Sequence, residues 1–372
     1  MALNLVRNSR VFFTTDVNPD TGVVDIAALE SSKTFEIQVL DGFSFSQNTN
    51  QDTITLNESG ATPVRSQRSF NTSLAPVDFS MSTYIRPRKG ATNVEAEEYV
   101  LWNALTSKAG DGWTAGAAFS TVALTHSNQH QLQKFGLIII LDNVTYVIDD
   151  CVLNQAVIDF GIDAIATIAW TGQGKTLRKL GTSATTPTPG TFGGGLTGSY
   201  TQKNTSAGYI ANKLSIATVS DGGGTTYNVP LTGGSLTINN NVTYLVPAIL
   251  GIVNQPATYF TGTRAITGTM NAYLKTGGSG ATADTGGLLA SMLADMSNVS
   301  PNFDVQITIG GNNTNKVVLS MPTSMLTIPT VDVQQVVSTA INFTAQSSTN
   351  GAAGDTYDIS NANELTIKYY SA

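Results

Sequence analysis

AVIDFGIDAIATIAWTGQ, residues 156–173, alternates apolar and polar side chains. Ile158, Phe160 and Ile162 share one parity, with Asp159, Gly161 and Asp163 between them, and the apolar parity continues to Ile168 and Trp170. A period of two belongs to the β-strand, whose successive side chains point to opposite faces. The stretch predicts strands with one core face and one wet face, which suits antiparallel pairing. The same alternation runs through Phe35, Ile37 and Val39, through Phe43 and Phe45, and through Val77, Phe79, Met81, Thr83 and Ile85.

The stretch also recurs. Residues 329–346 read PTVDVQQVVSTAINFTAQ, so Asp159, Ile168, Thr171 and Gln173 return as Asp332, Ile341, Thr344 and Gln346, with Phe343 for Trp170. Earlier in the chain, Leu40, Gly42, Ser44, Asn48 and Asn50 return as Leu231, Gly233, Ser235, Asn239 and Asn241. MSTYIR (81–86) returns as MNAYLK (270–275), and RNSRVFFTT (7–15) weakly as IANKLSIAT (210–218). The matches keep their order, which reads as a tandem duplication. A first module over 1–180 and a second over 206–372 are joined by 181–205, whose Thr, Pro and Gly content predicts an extended, poorly packing linker.

Each module is expected to carry one short helix. In the first it covers Asn93–Leu105, with Asn93 as cap and an acidic first turn; in the second it covers 286–296, with Leu289 and Leu293 at helical spacing. The fold class is mainly β: two antiparallel modules, barrel- or sandwich-like, each with one helix covering a sheet face.

Composition narrows the function. Charged residues are 12% of 372, against about 25% in typical domains, and the net charge is −7. An acidic, charge-poor chain does not bind nucleic acid tightly through phosphates. No apolar run approaches the roughly 20 residues of a membrane helix, and the N-terminus lacks the apolar core of a signal peptide. The single Cys151 excludes an internal disulfide framework, and in its apolar strand it reads as a buried, inert thiol. Gly172-Gln-Gly-Lys175-Thr176 imitates the end of a phosphate loop, but position 169 is Ala and no long helix can follow. His126 and His130 have a metal-compatible spacing in loop-like flanks without an acidic partner, and Asp149-Asp150 would point opposite ways on a strand. We expect no enzyme, no cofactor and no metal.

The opening 1–13 (MALNLVRNSRVFF), LDGFSFSQNTNQDTITLNESGATPVRSQRSFNTSLAPVDFSMSTYIRP (40–87), YVLWNAL (99–105), CVLNQAVIDFGIDAIATIAWTGQG (151–174) and LTGGSLTINNNVTYL (231–245) together resemble the tail tube proteins of long-tailed phages of the T-five type. The resemblance covers nearly the whole chain and includes the duplication. It implies two tube modules per chain, each giving a four-stranded sheet to an inner, closed β-barrel. Three chains would form a pseudo-sixfold ring, and rings would stack into a tube that holds the tape measure protein and later passes double-stranded DNA to the host. The implied place is the virion tail, assembled in the host cytoplasm, with tail tip and tail terminator proteins as further partners and no membrane insertion. The family's optional C-terminal immunoglobulin-like decoration is not expected in this chain. The competing readings are a surface adhesin or carbohydrate-binding β module, disfavoured by scattered tryptophans and the missing signal, and a contractile-tail or secretion-type tube, disfavoured by the duplication.

Within the tube reading, Asp159, Asp163, Asp332, Gln334 and Asn342 are expected to face the lumen; the alternative is the outer surface or a seam between subunits. Gln47–Asn71 and its counterpart Asn239–Arg264 are too long for simple hairpin loops. Through Asn48, Asn50, Arg65, Arg68, Asn239, Asn241 and Arg264 they are expected to reach a neighbouring ring.

Overall fold

The computed structural model describes residues 9–371 apart from 55–67, 126–129, 143, 181–189, 194, 205–207, 222–223, 277–283, 296–302, 312–314, 328–330, 333–336 and 348–362. The early elements are β1 (Ser9–Thr14), β2 (Thr34–Ile37), β3 (Ser44–Ile54), β4 (Arg68–Tyr84), β5 (Pro87–Lys89), β6 (Val94–Ala96), α1 (Tyr99–Thr106), β7 (Trp113–Thr114), β8 (Ser120–Thr125) and β9 (Phe135–Leu141). Then come β10 (Val144–Asp159), β11 (Thr167–Gly174), β12 (Thr176–Lys179), β13 (Ile216–Ser220), β14 (Thr226–Val229), β15 (Leu231–Asn239), β16 (Val242–Leu245), β17 (Thr258–Thr261) and β18 (Ala265–Tyr273). The chain finishes with α2 (Thr285–Asp295), β19 (Phe303–Ile309), β20 (Lys316–Leu326), β21 (Val331–Asp332), β22 (Ser338–Ala345) and β23 (Asn363–Tyr370).

The central feature is a ladder in the order β3–β4–β11–β10–β15–β18–β22, with the end of β20 and β21 beyond β22. Every neighbouring pair is antiparallel. Two of its strands leave it for a second layer. The first half of β10 pairs with β9 and β12, and β9 continues to β1 and β2. The first half of β20 pairs with β19 and β23, and β19 continues to β13 and β14. Asp150, at a left-handed φ of 53°, sits in the bulge where β10 changes layer.

The core lies between the layers, where the period-two alternation places it. The row Thr83–Ile168–Ile158–Leu236–Gly268–Phe343 crosses the ladder from β4 to β22. Beside it runs Met81–Trp170–Ala156–Ile238–Ile266–Ala345. Each large apolar side chain buried this way contributes about 1.5–3 kcal/mol. Helix α1 lies against this face: Leu101, Trp102 and Leu105 are fully buried, and the Trp102 ring meets Trp170 edge-on at 4.8 Å.

Several expectations change. The first helix starts at Tyr99 and has no side-chain cap, because Val94 and Ala96 bury their side chains in β6, paired with β5. Alternating burial therefore wins over the acidic run as a helix start. In α2, Leu288 and Met292 are buried while Leu293 is 51% exposed, so the packed stripe is shifted by one position. The segment read as a poorly packing linker packs well over its described part. Leu196 and Tyr200 are buried with Phe12, Val24 and Ile138, and Tyr200 meets Phe12 edge-on at 4.9 Å. Main-chain bonds from Thr201 to Thr34 and from Ser199 to Leu29 fix it along β2. Finally, β23 pairs with β8 as well as β20, tying the end of the chain to its first half.

Candidate functional site

The opposite face of the ladder carries small polar side chains in straight rows. One row reads Tyr84–Thr167–Asp159–Ser235–Thr269–Asn342, the next Ser82–Ala169–Val157–Thr237–Thr267–Thr344, and the third Ser44–Ser80–Thr171–Gln155–Asn239–Ala265. Hydrogen bonds run along the rows: Thr269 Oγ1 donates to Asn342 Oδ1 at 2.8 Å, and the Ser44 and Ser80 hydroxyls lie 2.8 Å apart. In the register beyond, Gln173 Nε2 donates to Asp78 Oδ1 at 3.0 Å. A shallow hollow of about 310 Å³ lies here, between Ser46, Asp78, Thr171 and Gln173. The three rows contain one charged residue, Asp159, and no cation.

Several cations form ion pairs away from these rows. Arg178 Nη2 bonds the buried Asp149 at 2.7 Å, Lys134 pairs with Asp150 at 2.9 Å, Arg10 with Glu36 at 2.8 Å, and Arg264 with Glu364 at 2.6 Å. These pairs belong to the other layer and the flanks. The wet face is thus left uncharged to mildly acidic. These three rows offer a polyanion no fixed cation and so no counterion-release drive to bind. Behind the apolar face, Glu98 is buried beside Tyr369 and Trp102, and burial pushes its carboxyl up to about 7. The Tyr369 hydroxyl accepts from Trp102 Nε1 at 2.7 Å, and burial pushes that phenol well up.

Of the residues expected to line a lumen, Asp159 and Asn342 stand in one polar row. Asp163 does not join them: it lies past the end of β10, 84% exposed, 3.9 Å from Lys213. The alternation of 158–162 ends with β10, so Ile162 is 42% exposed rather than buried. Asp332 falls on β21, opposite Ser338, and Gln334 lies outside the described residues. Sequence reading did not single out Asp78, Ser80, Thr171 or Gln155, although each has the polar parity of its strand.

The expected loops also divide. Asn48 and Asn50 lie in β3 and Arg68 starts β4, so the described part of Gln47–Asn71 is paired strand, with residues 48–54 and 68–71 exposed; residues 55–67, Arg65 among them, lie outside the described residues. Asn50 Nδ2 donates to Ser73 Oγ at 2.8 Å across this arm. In the second hairpin, Asn239 ends β15, and Asn241, at a φ of 51°, turns the chain and donates to the Thr263 carbonyl at 2.6 Å. Arg264 reaches Glu364 and the Thr125 carbonyl, which fastens it to β23 and β8.

Gly172 and Gly174 lie in β11 and Lys175 precedes strand β12, so no helix follows the phosphate-loop imitation. His130 is exposed, and His126 lies outside the described residues. Asp149 and Asp150 are both buried and ion-paired. Cys151 is fully buried, and burial raises its thiol well above the usual value.

Two ladder edges carry no strand among the described residues. On one side β3 pairs with β4 alone; on the other β21 pairs with β22 alone. Strand direction alternates across the ladder, so β21 runs antiparallel to a copy of β3 placed beside it. Open edges of this kind are templates for another chain.

No family model matches the chain. It is 31% identical over 369 residues to the tail tube protein pb6 of Escherichia phage T5, an alignment covering 96% of this chain and 75% of that relative.

Proposed function

The chain belongs to the tail tube proteins of T5-like phages, structural components of the virion tail, and from that premise we propose that three copies close edge to edge into a ring. The proposal rests on one observation, the order of strands. The series β3–β4–β11–β10 runs into β15–β18–β22–β20/β21 through the β10–β15 pair. The second layers follow the same plan, β2–β1–β9–β10–β12 beside β14–β13–β19–β20–β23. We read this as two tube modules in one chain, 1–180 and 206–372. The β10–β15 pair is then the internal model of the junction between copies, in which β21 of one copy meets β3 of the next. Two modules per chain give pseudo-sixfold closure with three chains, and closure removes both open edges.

In this reading the polar rows face the lumen, and the layer with β1, β9, α1 and β19 lies outside. A wall of Ser, Thr, Asn and Gln with Asp78 and Asp159 suits passage without retention of double-stranded DNA after the tape measure protein has left. Stacked rings, capped by tip and terminator proteins, make the non-contractile tail, assembled in the host cytoplasm.

Electron microscopy of the concentrated protein, with symmetry taken from end views, tests this. Hollow tubes with three chains per ring are expected. Six chains per ring refute the two-module closure, and absence of the chain from purified tails ends the reading.

A further inference from the structure

The layer behind the ladder holds a hollow that the tube reading does not use. It has a volume of about 340 Å³ and lies between β2, the β5–β6 hairpin, the start of α1 and β7. That is the size of a small-ligand site. None of its residues stands in the polar rows or on the bare edges β3 and β21, so it belongs to the single chain, with or without ring closure.

Three half-buried rings build its wall. Tyr99 stands in the middle, with the Phe35 ring 5.6 Å away at an interplanar angle of 79° and the Trp113 ring 6.2 Å away at 56°. Tyr369 backs Trp113 at 4.9 Å and holds it in place. Rings set at such angles make a folded wall. A flat platform suits the face of a sugar ring, whereas a folded wall turns several rings towards one compact group.

The other side is acidic. Val94 and Ala96 bury their side chains in β6, so the strand period sends Glu95 and Glu97 together to the opposite side, where both line the hollow. Arg88 stands opposite Glu95 in register, is ion-paired with it, and lies 3.7 Å from Glu97. One guanidinium thus serves two carboxylates. Arg86 also lies close, but it gives its Nη groups to Gln38 and the Asn204 carbonyl. Glu36, the third lining carboxylate, is occupied by Arg10 at 2.8 Å and Lys203 at 3.7 Å. Glu97 accepts from Asn204 N at 3.0 Å, yet burial holds its carboxyl above its ordinary value despite Arg88 and Arg86.

We propose that this hollow binds a small alkylammonium ion, its charged head at Glu95 and Glu97 and its stem against Phe35, Tyr99 and Trp113. Aromatic faces attract a cation through their quadrupoles. The second positive charge relieves the repulsion between the two carboxylates and compensates a charge that burial disfavours. An anion would meet the carboxylates head-on. A neutral ligand would touch the rings but leave the second carboxylate without its counter-charge. Two sources carry the alkylammonium chemistry, a free diamine and the lysine side chain of a polypeptide, and the test separates them.

The test is calorimetric titration of the full chain at low salt with cadaverine and with Nα-acetyl-lysine amide. The diol of the same length as cadaverine and glucose serve as uncharged controls. Saturable binding of one cation per chain is expected, with the diol weaker by about tenfold. Cadaverine alone assigns a free diamine; both probes together assign a lysine side chain. Glu95→Gln with Glu97→Gln is expected to weaken cadaverine by about tenfold. Ala115→Arg, at an exposed lining position, puts a cation at the mouth without altering the wall; it should abolish binding and melt like the parent. Three results overturn the inference: diol or glucose binding as tightly as cadaverine, binding that neither variant weakens, or no binding at millimolar probe. Each of them leaves the tube reading standing.

Discussion

On one face of the ladder, Trp170, Ile158, Leu236 and Phe343 lie fully or almost fully buried against the second layer and α1. On the other, Asp159 and Asn342 are exposed and Thr171 and Ser235 half-buried, on the same strands, one residue away. The two faces share a backbone and differ in what depends on them. The apolar face decides whether the chain folds, because each side chain there has neighbours that cannot close over its loss. The polar face decides what the folded chain meets, because its side chains make short, replaceable hydrogen bonds at an open surface.

The sharpest separation is expected from Trp170→Ala. Trp170 is fully buried, packs on Trp102, and donates from Nε1 to Thr83 Oγ1 at 2.9 Å. Its loss opens a cavity and leaves Thr83 without that donor, a cost of about 3–5 kcal/mol. Denaturant unfolding reads this as a lowered midpoint. A change below about 1 kcal/mol would mean that the two layers are not one core.

Behind the same face Glu98 makes folding sensitive to pH. Its folded carboxyl sits at about 7, above the ordinary 4.5, because burial disfavours the charge; hydrogen bonds from Arg86 N and the Tyr369 hydroxyl offset this only in part, and Glu97 adds repulsion. The folded chain therefore holds this proton where the unfolded chain has released it. Stability is fully present below about pH 4.5, falls as pH rises towards 7, and is level above. The loss is on the order of 3 kcal/mol. Glu98→Gln is expected to flatten that part of the stability profile. An identical slope in the variant would assign the pH dependence to another group.

Glycine gives a finer contrast. Gly268 faces Phe343 across the β18–β22 pair, and a Cβ there would lie 2.3 Å from the ring; Gly172 faces Phe79 across β11–β4 in the same way. Ala ordinarily stabilises a strand over Gly by about 0.5–1 kcal/mol. At Gly268 the sign should reverse, with Gly268→Ala costing about 1–3 kcal/mol as Phe343 is displaced. A stabilised variant would show that the ring has room to move.

How much of this was legible in the sequence follows from the same two faces. Alternation over 77–85 and 156–170 placed Val77, Phe79, Met81, Ile85, Ile158 and Trp170 inside, because burial of one strand face imposes a period that composition cannot hide. Edges leave no such trace. Nothing in SFSQNTNQDTI distinguishes a bare β3 from a covered one, and the two possible neighbours of a strand do not alter its periodicity. The packing of Leu196 and Tyr200 was hidden for a related reason: two apolar anchors in a Gly- and Thr-rich stretch make no period. Arg264 looked like a loop cation because its partner, Glu364, is a hundred positions away. The site was legible only by row, since Asp159 and Asn342 become neighbours of Ser235 and Thr269 through pairings that join distant strands.

The smallest folding effect, and the strictest test of the contrast, is Asp159→Lys together with Asp78→Lys. Both residues are exposed, and their strands keep every core side chain in place. Surface changes of this kind stay within about 0.5 kcal/mol. The melting curve should therefore barely move. The wall, however, changes sign at two positions per chain, repeated around each ring and along the tube. Each added cation attracts phosphate and releases counterions, so retention of double-stranded DNA by the tubes should rise and should fall steeply with added salt. Tubes that melt as before but hold DNA at low salt would place the polar rows on the lumen. Tubes that bind DNA only along their outside would turn the ladder inside out and put the apolar layer, with α1, towards the channel.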